Sequence, residues 1–222
     1  PATLSFEASL DDLAMLVDEL DAPTVHLVGF SFGALLVGAF VGREPHRVGN
    51  VALVSPGAMR RSDHDADKKI EDRQIAARAA IESDPAWERV VRGFGLPVDP
   101  AILGARDRAR WNQIRDAWLF TRHPERYRQV RTGMFFNRDA GMAIWATMPH
   151  TWDFIEPLRQ HRGKSTLIVG DHDLVDSGAV LAQRWCAGGS LTCQVIPGAG
   201  HLCWVDEPQL VRFALLDALG VH

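Results

Sequence analysis

Cysteine is scarce: Cys186, Cys193 and Cys203 are the only three in 222 residues, and no two form a C-x-x-C pair. An odd number without that spacing argues against a disulfide framework or a zinc site and fits reduced thiols in a cytoplasmic protein. Basic charge is not in excess either. With 24 Lys and Arg against 28 Asp and Glu, the net charge is −4, which leaves no electrostatic footprint for nucleic acid. Long hydrophobic runs are missing: Val25 to Phe30 and Ala34 to Val41 are the longest, too short and interrupted to span a bilayer. The 12 Pro and 19 Gly are scattered, so there is no repeat or low-complexity tract. The chain opens on Pro1-Ala2-Thr3, with no initiator methionine and no signal-like segment. The expectation is that the true N-terminus lies upstream.

What is present suits a globular fold, with 46% apolar residues for a core and 23% charged residues for a surface. Residues 6–20 place Phe6, Leu10, Leu13, Leu16, Val17 and Leu20 at helical spacing, with Ser5 as N-cap and Asp21-Ala22-Pro23 as a stop. Thr24 to Val28 is short, apolar and β-branched, as a buried parallel strand should be. A helix over Ala34 to Val41 and a strand over Val51 to Ser55 follow. From about Ala58 to Arg162 the chain turns rich in Arg, Asp and Trp, helical in pattern and broken by prolines. Strands at Thr166 to Val169 and Leu191 to Ile196 then return, with helices at Gly178 to Cys186 and Glu207 to Leu219. Alternating strands and helices predict an α/β fold: about four parallel strands covered on both faces, with a helical insertion over them.

Three short motifs carry chemistry, each directly after a predicted strand. Gly29-Phe30-Ser31-Phe32-Gly33 puts a serine at a sharp strand-to-helix turn, with glycines letting neighbouring backbone approach. The Phe32 N–H then sits at a helix N-terminus, where it can stabilise an oxyanion. Leu167-Ile168-Val169-Gly170-Asp171-His172-Asp173 supplies a loop carboxylate that can orient a histidine, with Asp171, Asp173 and Asp176 as candidates. Pro197-Gly198-Ala199-Gly200-His201 supplies the histidine on a glycine-rich turn. Taken singly, a loop Asp or His is more often a turn former or a solvated residue. Together, in the order Ser, acid, His, they fall at the carboxyl edge of a parallel sheet, where such folds bind ligands. That arrangement predicts a catalytic triad.

These same residues resemble the lidded α/β-hydrolase superfamily. Gly29-Phe30-Ser31-Phe32-Gly33 is similar to its nucleophile elbow and Gly198-Ala199-Gly200-His201 to its histidine loop. Gly170-Asp171-His172-Asp173 is similar to its G-x-x-D acid loop, which puts the acid at Asp173. The resemblance implies a core over 1–57 and 163–222 and a helical lid over 58–162. It also implies that Ser31 attacks, His201 moves the proton, Asp173 orients His201 and the Phe32 N–H holds the oxyanion. The family normally carries further strands before the elbow, with a His-Gly loop that completes the oxyanion hole, and this sequence has no room for them. The fold is therefore expected to be truncated, its open edge covered by a second copy or by an upstream segment.

The insertion holds Trp87, Trp111, Trp118, Trp145, Trp152, Phe120, Phe135, Phe136 and, near its end, Phe154. Most of these are expected to pack helices together. Phe30, Trp145, Trp152, Leu202 and Trp204 are the candidates to line a substrate pocket. Cys203 has no neighbour in sequence to make it a thiolate, and the runs Arg106 to Arg110 and Arg122 to Arg131 read as solvated helix faces. His150 and His172 lack partners at ligand spacing, so no metal and no cofactor are expected. The leading expectation is hydrolysis of a small apolar ester or related acyl bond. The alternatives are a carbon–carbon bond hydrolase or an aminopeptidase of the same fold, or a ligand-sensing module without catalysis.

Overall fold

The computed structural model describes residues 4–66, 70–123, 126, 138–175 and 179–221. Helix α1 (Phe6–Glu19) starts at Ser5, whose hydroxyl accepts the Ala8 N–H at 3.0 Å, and the chain turns at Asp21 with φ 47° before Pro23. Strand β1 (Val25–Phe30), helix α2 (Phe32–Arg43) and strand β2 (Val48–Val54) follow. Helices α3 (Arg61–Ala66), α4 (Ile70–Ser83), α5 (Pro85–Gly93), α6 (Ala105–Leu119), α7 (Arg138–Trp145) and α8 (Ile155–Gln160) lie between β2 and strand β3 (Ser165–Gly170). Helix α9 (Val180–Cys186), strand β4 (Thr192–Ile196), the short helix α10 (Cys203–Asp206) and helix α11 (Pro208–Leu219) complete the order. Gly220, at φ 70°, ends α11 in the left-handed conformation that glycine takes without a Cβ penalty.

The strands are all parallel, in the order β1-β2-β3-β4. Leu53 faces Leu167 across one pairing, and Leu167 faces Cys193 across the next. Strand β1 runs two residues beyond its predicted end at Val28, because Gly29 and Phe30 still pair with Leu53 and Val54. Side chains alternate between two cores. Val51, Leu53, Leu167 and Val169 join Phe6, Leu35, Phe40, Leu158 and Trp185 on one face. Ala52, Val54, Ile168 and Ile196 join Val211, Ala214 and Ala218 of α11 on the other. β1 has a strand neighbour on one side among the described residues, and Val28 on it is exposed, as are Met15, Leu16 and Leu20 near the end of α1.

The helices between β2 and β3 build a third apolar cluster of their own. Trp87 and Trp111 meet edge to face with ring centroids 5.1 Å apart, surrounded by Val91, Leu96, Leu103 and Ile114. The two ends of the insertion behave differently: Met59, Met148, Trp152, Phe154, Ile155 and Leu158 pack into the core on the sheet. Because the third cluster shares none of its residues with the other two, its loss should stay local. Trp87→Ala is expected to cost about 3–5 kcal/mol of local stability. Amide hydrogen exchange should then accelerate over residues 81–118 and leave β2 and β3 unchanged.

Candidate active site

Ser31 is the single residue between β1 and α2, and its backbone has φ 50° and ψ −116°. That conformation costs an L-residue about 1–3 kcal/mol unless its surroundings hold it. The Ser31 N–H donates to the Val54 carbonyl at 3.0 Å, and the Ser31 carbonyl accepts the Ala34 N–H at 3.0 Å. A serine at a helix N-cap ordinarily bonds the first turn. Ser31 makes no such bond, and its Oγ instead lies 3.0 Å from Nε2 of His201. Gly29 is required by contact, since a Cβ there would lie 2.6 Å from the Gly33 carbonyl oxygen and 2.7 Å from the Ala34 Cα. Gly33 is different: a Cβ there meets nothing within 4 Å. The expectation that both glycines relieve crowding therefore holds for Gly29 and is corrected for Gly33.

The loops that carry Asp173 and His201 lock together where β3 and β4 end. The Asp171 N–H donates to Ile196 O at 3.2 Å and the His172 N–H to Ala199 O at 2.9 Å. Asp173 is 1% exposed, and its Oδ1 accepts the Val175 N–H at 2.8 Å. Its Oδ2 and Oδ1 lie 2.9 and 3.1 Å from Nδ1 of His201. Asp171 is exposed, with an oxygen 3.8 Å from the His172 ring rather than near His201, and Asp176 lies outside the described residues. An ionised carboxylate only accepts, so Nδ1 carries the proton and Nε2 is left to accept from the Ser31 hydroxyl. Phe32 is the first residue of α2, where a backbone N–H has no acceptor within the helix.

Aromatic rings close around the imidazole. Phe30 and Phe120 lie 5.1 and 5.2 Å from the His201 ring, and Trp204 meets Phe30 edge-on at 4.4 Å. Leu202 is buried, its N–H donating to the Phe120 carbonyl at 2.8 Å. Trp145 is half-buried, 6.0 Å from the Phe32 ring and 5.8 Å from Trp152. Trp152 itself is buried in the core on the sheet, with its indole N–H donating to Ala58 O at 3.2 Å. From sequence, Phe120 reads as one more packing residue of the insertion. Nothing in its local pattern reveals that it reaches His201, far along the chain. Phe135 and Phe136 lie outside the described residues.

The remaining candidates stand apart from this chemistry. Burial pushes the Cys203 thiol up to about 12, so it stays protonated, and the Ser55 hydroxyl lies 3.8 Å from its sulfur. His150 and His172 are exposed. Among the described residues no group of three or more His, Cys, Asp or Glu could hold a metal ion, and no helix is long and apolar enough to cross a membrane.

The Ser31, Asp173 and His201 loops stand together at the carboxyl edge of a parallel sheet, and a family model described as "Alpha/beta hydrolase family" matches residues 1–212. The chain belongs to the α/β hydrolase family. Solved structures agree on the fold of this hydrolase. An esterase from Thermogutta terrifontis has a TM-score of 0.61 at 22% identity, over 99% of this chain and 74% of that one. A proline iminopeptidase-related protein from Thermus thermophilus gives 0.60 at 18% identity, over 97% and 71%. A bromoperoxidase from Bacillus anthracis gives 0.58 at 18% identity, over 99% and 75%. No curated protein matches the hydrolase in sequence.

Two outcomes check this geometry. Gly29→Ala should destabilise the fold by about 1–3 kcal/mol through overpacking, whereas Gly33→Ala, open and helical, should be neutral or better. Urea unfolding of the two variants separates them. Cys203 should resist iodoacetamide at neutral pH in the native protein and react only once unfolded, as mass spectrometry of the labelled peptide would show.

Proposed function

We propose that this α/β hydrolase cleaves small apolar carboxylic esters through an acyl-enzyme on Ser31. The observation that carries the reading is the continuous hydrogen-bonded line from Ser31 Oγ to His201 Nε2 at 3.0 Å and from His201 Nδ1 to Asp173 at 2.9 Å. In that line His201 takes the Ser31 proton as Oγ attacks the ester carbonyl. The resulting imidazolium is stabilised by the Asp173 carboxylate, which keeps its own charge. The tetrahedral oxyanion accepts from the Phe32 N–H. Collapse breaks the ester C–O bond, and the alcohol leaves with the proton from His201. Water then attacks the acyl-serine, His201 removing its proton, and returns the acid and free Ser31.

Several features support an apolar substrate. Phe30 and Phe120 pack on the imidazole, Trp204 backs Phe30, and Leu202 is buried beside them. Trp145 stands near Phe32 at the entry to α2. In this reading the helices of 58–162 form a cap over the core of 1–57 and 163–222. The esterase among the solved structures of this fold is consistent with the assignment.

A fluorophosphonate probe should label the protein at Ser31, and Ser31→Ala should abolish both labelling and turnover of p-nitrophenyl butyrate. Asp173→Asn should keep the fold and lower kcat by about 10⁴-fold, the size seen when the acid of such a triad is neutralised. Absence of labelling and of ester turnover in the wild-type protein would overturn the proposal and favour a ligand-sensing role.

A further inference from the structure

Asp206 takes no part in the line from Ser31 to Asp173, yet it is fully buried. Its carboxylate is held by main-chain N–H groups from two separate segments. Oδ1 accepts from Arg122 at 2.8 Å and from His123 at 2.9 Å. Oδ2 accepts from Gly200 at 2.8 Å. Gly200 is the residue before His201, and residues 120–123 are the arm that leaves helix α6. One buried carboxylate thus ties the arm to the histidine loop. Three further contacts tighten the same joint. The Arg126 guanidinium donates to the Asp206 carbonyl at 2.6 Å, the Leu202 N–H donates to the Phe120 carbonyl at 2.8 Å, and the Phe120 ring faces the imidazole. A Cβ on Gly200 would lie 2.8 Å from the Phe120 carbonyl oxygen, so the two backbones meet with no space between them.

A carboxylate taken out of water is costly unless each oxygen finds donors, and three N–H groups arranged around one side chain satisfy that need. Removing any partner leaves a buried charge or a buried N–H unpaired. The joint therefore has one favourable geometry, and it fixes both the backbone beside His201 and the Phe120 ring tilted against it. We infer that Asp206 is a positioning residue that holds His201 in line with Ser31 and Asp173 by clamping Gly200 to the arm at 120–123. The inference rests on the reading of those three residues as the catalytic line. It extends that reading by placing the orientation of the base under the control of a segment of the helical insertion.

Asp206→Asn is the direct test, because the amide keeps the shape but can no longer accept through both groups. In wild-type protein, ¹⁵N NMR of labelled histidine should show one His201 tautomer, protonated at Nδ1. In Asp206→Asn that signal should broaden or split, and exchange of the Gly200, Arg122 and His123 amides should accelerate by about 100-fold or more. The kcat for p-nitrophenyl butyrate should fall by about 10- to 100-fold with KM within about threefold, as expected when a reacting group is misplaced rather than removed. Phe120→Leu, which leaves the carboxylate intact, should perturb the His201 signal while the fold persists. An unchanged His201 signal and unchanged amide exchange in folded Asp206→Asn would overturn the inference. If that variant does not fold, an unchanged signal and kcat in Phe120→Leu would overturn it. Should the wild type hydrolyse no ester while Asp206→Asn still disturbs the His201 signal, the ester reading falls and the clamp stands.

Discussion

Close approach of backbone to backbone at the carboxyl edge of the sheet is the constraint on which the site depends. Gly170 ends β3 against the carbonyls of Ala199 and Gly200, with no room for a side chain. The His172 N–H then bonds Ala199 O across the gap, and this contact brings the loops of Asp173 and His201 into register. With those loops joined, Asp173 and His201 can meet at hydrogen-bond distance while both are buried. The same kind of contact recurs at Gly29 against Gly33 and Ala34, and at Gly200 against Phe120. Three glycines, one beside each of the three loops, let those loops converge at a single sheet edge.

Burial explains why such contacts are sufficient. A charged Asp in water would not hold an imidazole in one orientation, because solvent competes for every bond. Asp173 faces His201 with almost no exposure, and the neighbouring aromatic rings shield the imidazole from water. In that setting a hydrogen bond between ionised and neutral partners is stronger and more directional than at a surface. The strained backbone of Ser31 belongs to the same balance, since bonds to Val54 and Ala34 hold a conformation that the isolated residue would leave.

Much of this was legible in the sequence because it is local. The short apolar run of Val51 to Val54 and the helical spacing from Phe6 to Val17 identify elements that the structure contains. Each motif follows its strand as a parallel sheet demands. The ends were less legible: β1 continues through Gly29 and Phe30 because its partner strand continues, and that information lies in β2. Gly33 looked like a second steric requirement because it is a glycine close to a serine, and only three-dimensional neighbours reveal that the space is open. Phe120 and Asp206 escaped for the same reason. His201 for Phe120, and two of the three amides on Asp206, lie about eighty residues away, and an Asp between a valine and a glutamate carries no local sign that three amides converge on it.

The third apolar cluster, built on Trp87 and Trp111, has an evolutionary corollary. It shares no residue with either of the cores that hold the sheet, so substitutions within it are only weakly coupled through packing to the strands that precede Ser31, Asp173 and His201. The exception is the arm at 120–123 that follows α6, because its amides and the Phe120 carbonyl bond Asp206 and Leu202 beside His201. Drift in the lining of this cluster is therefore tolerated by the sheet, whereas drift in the arm at its end is not.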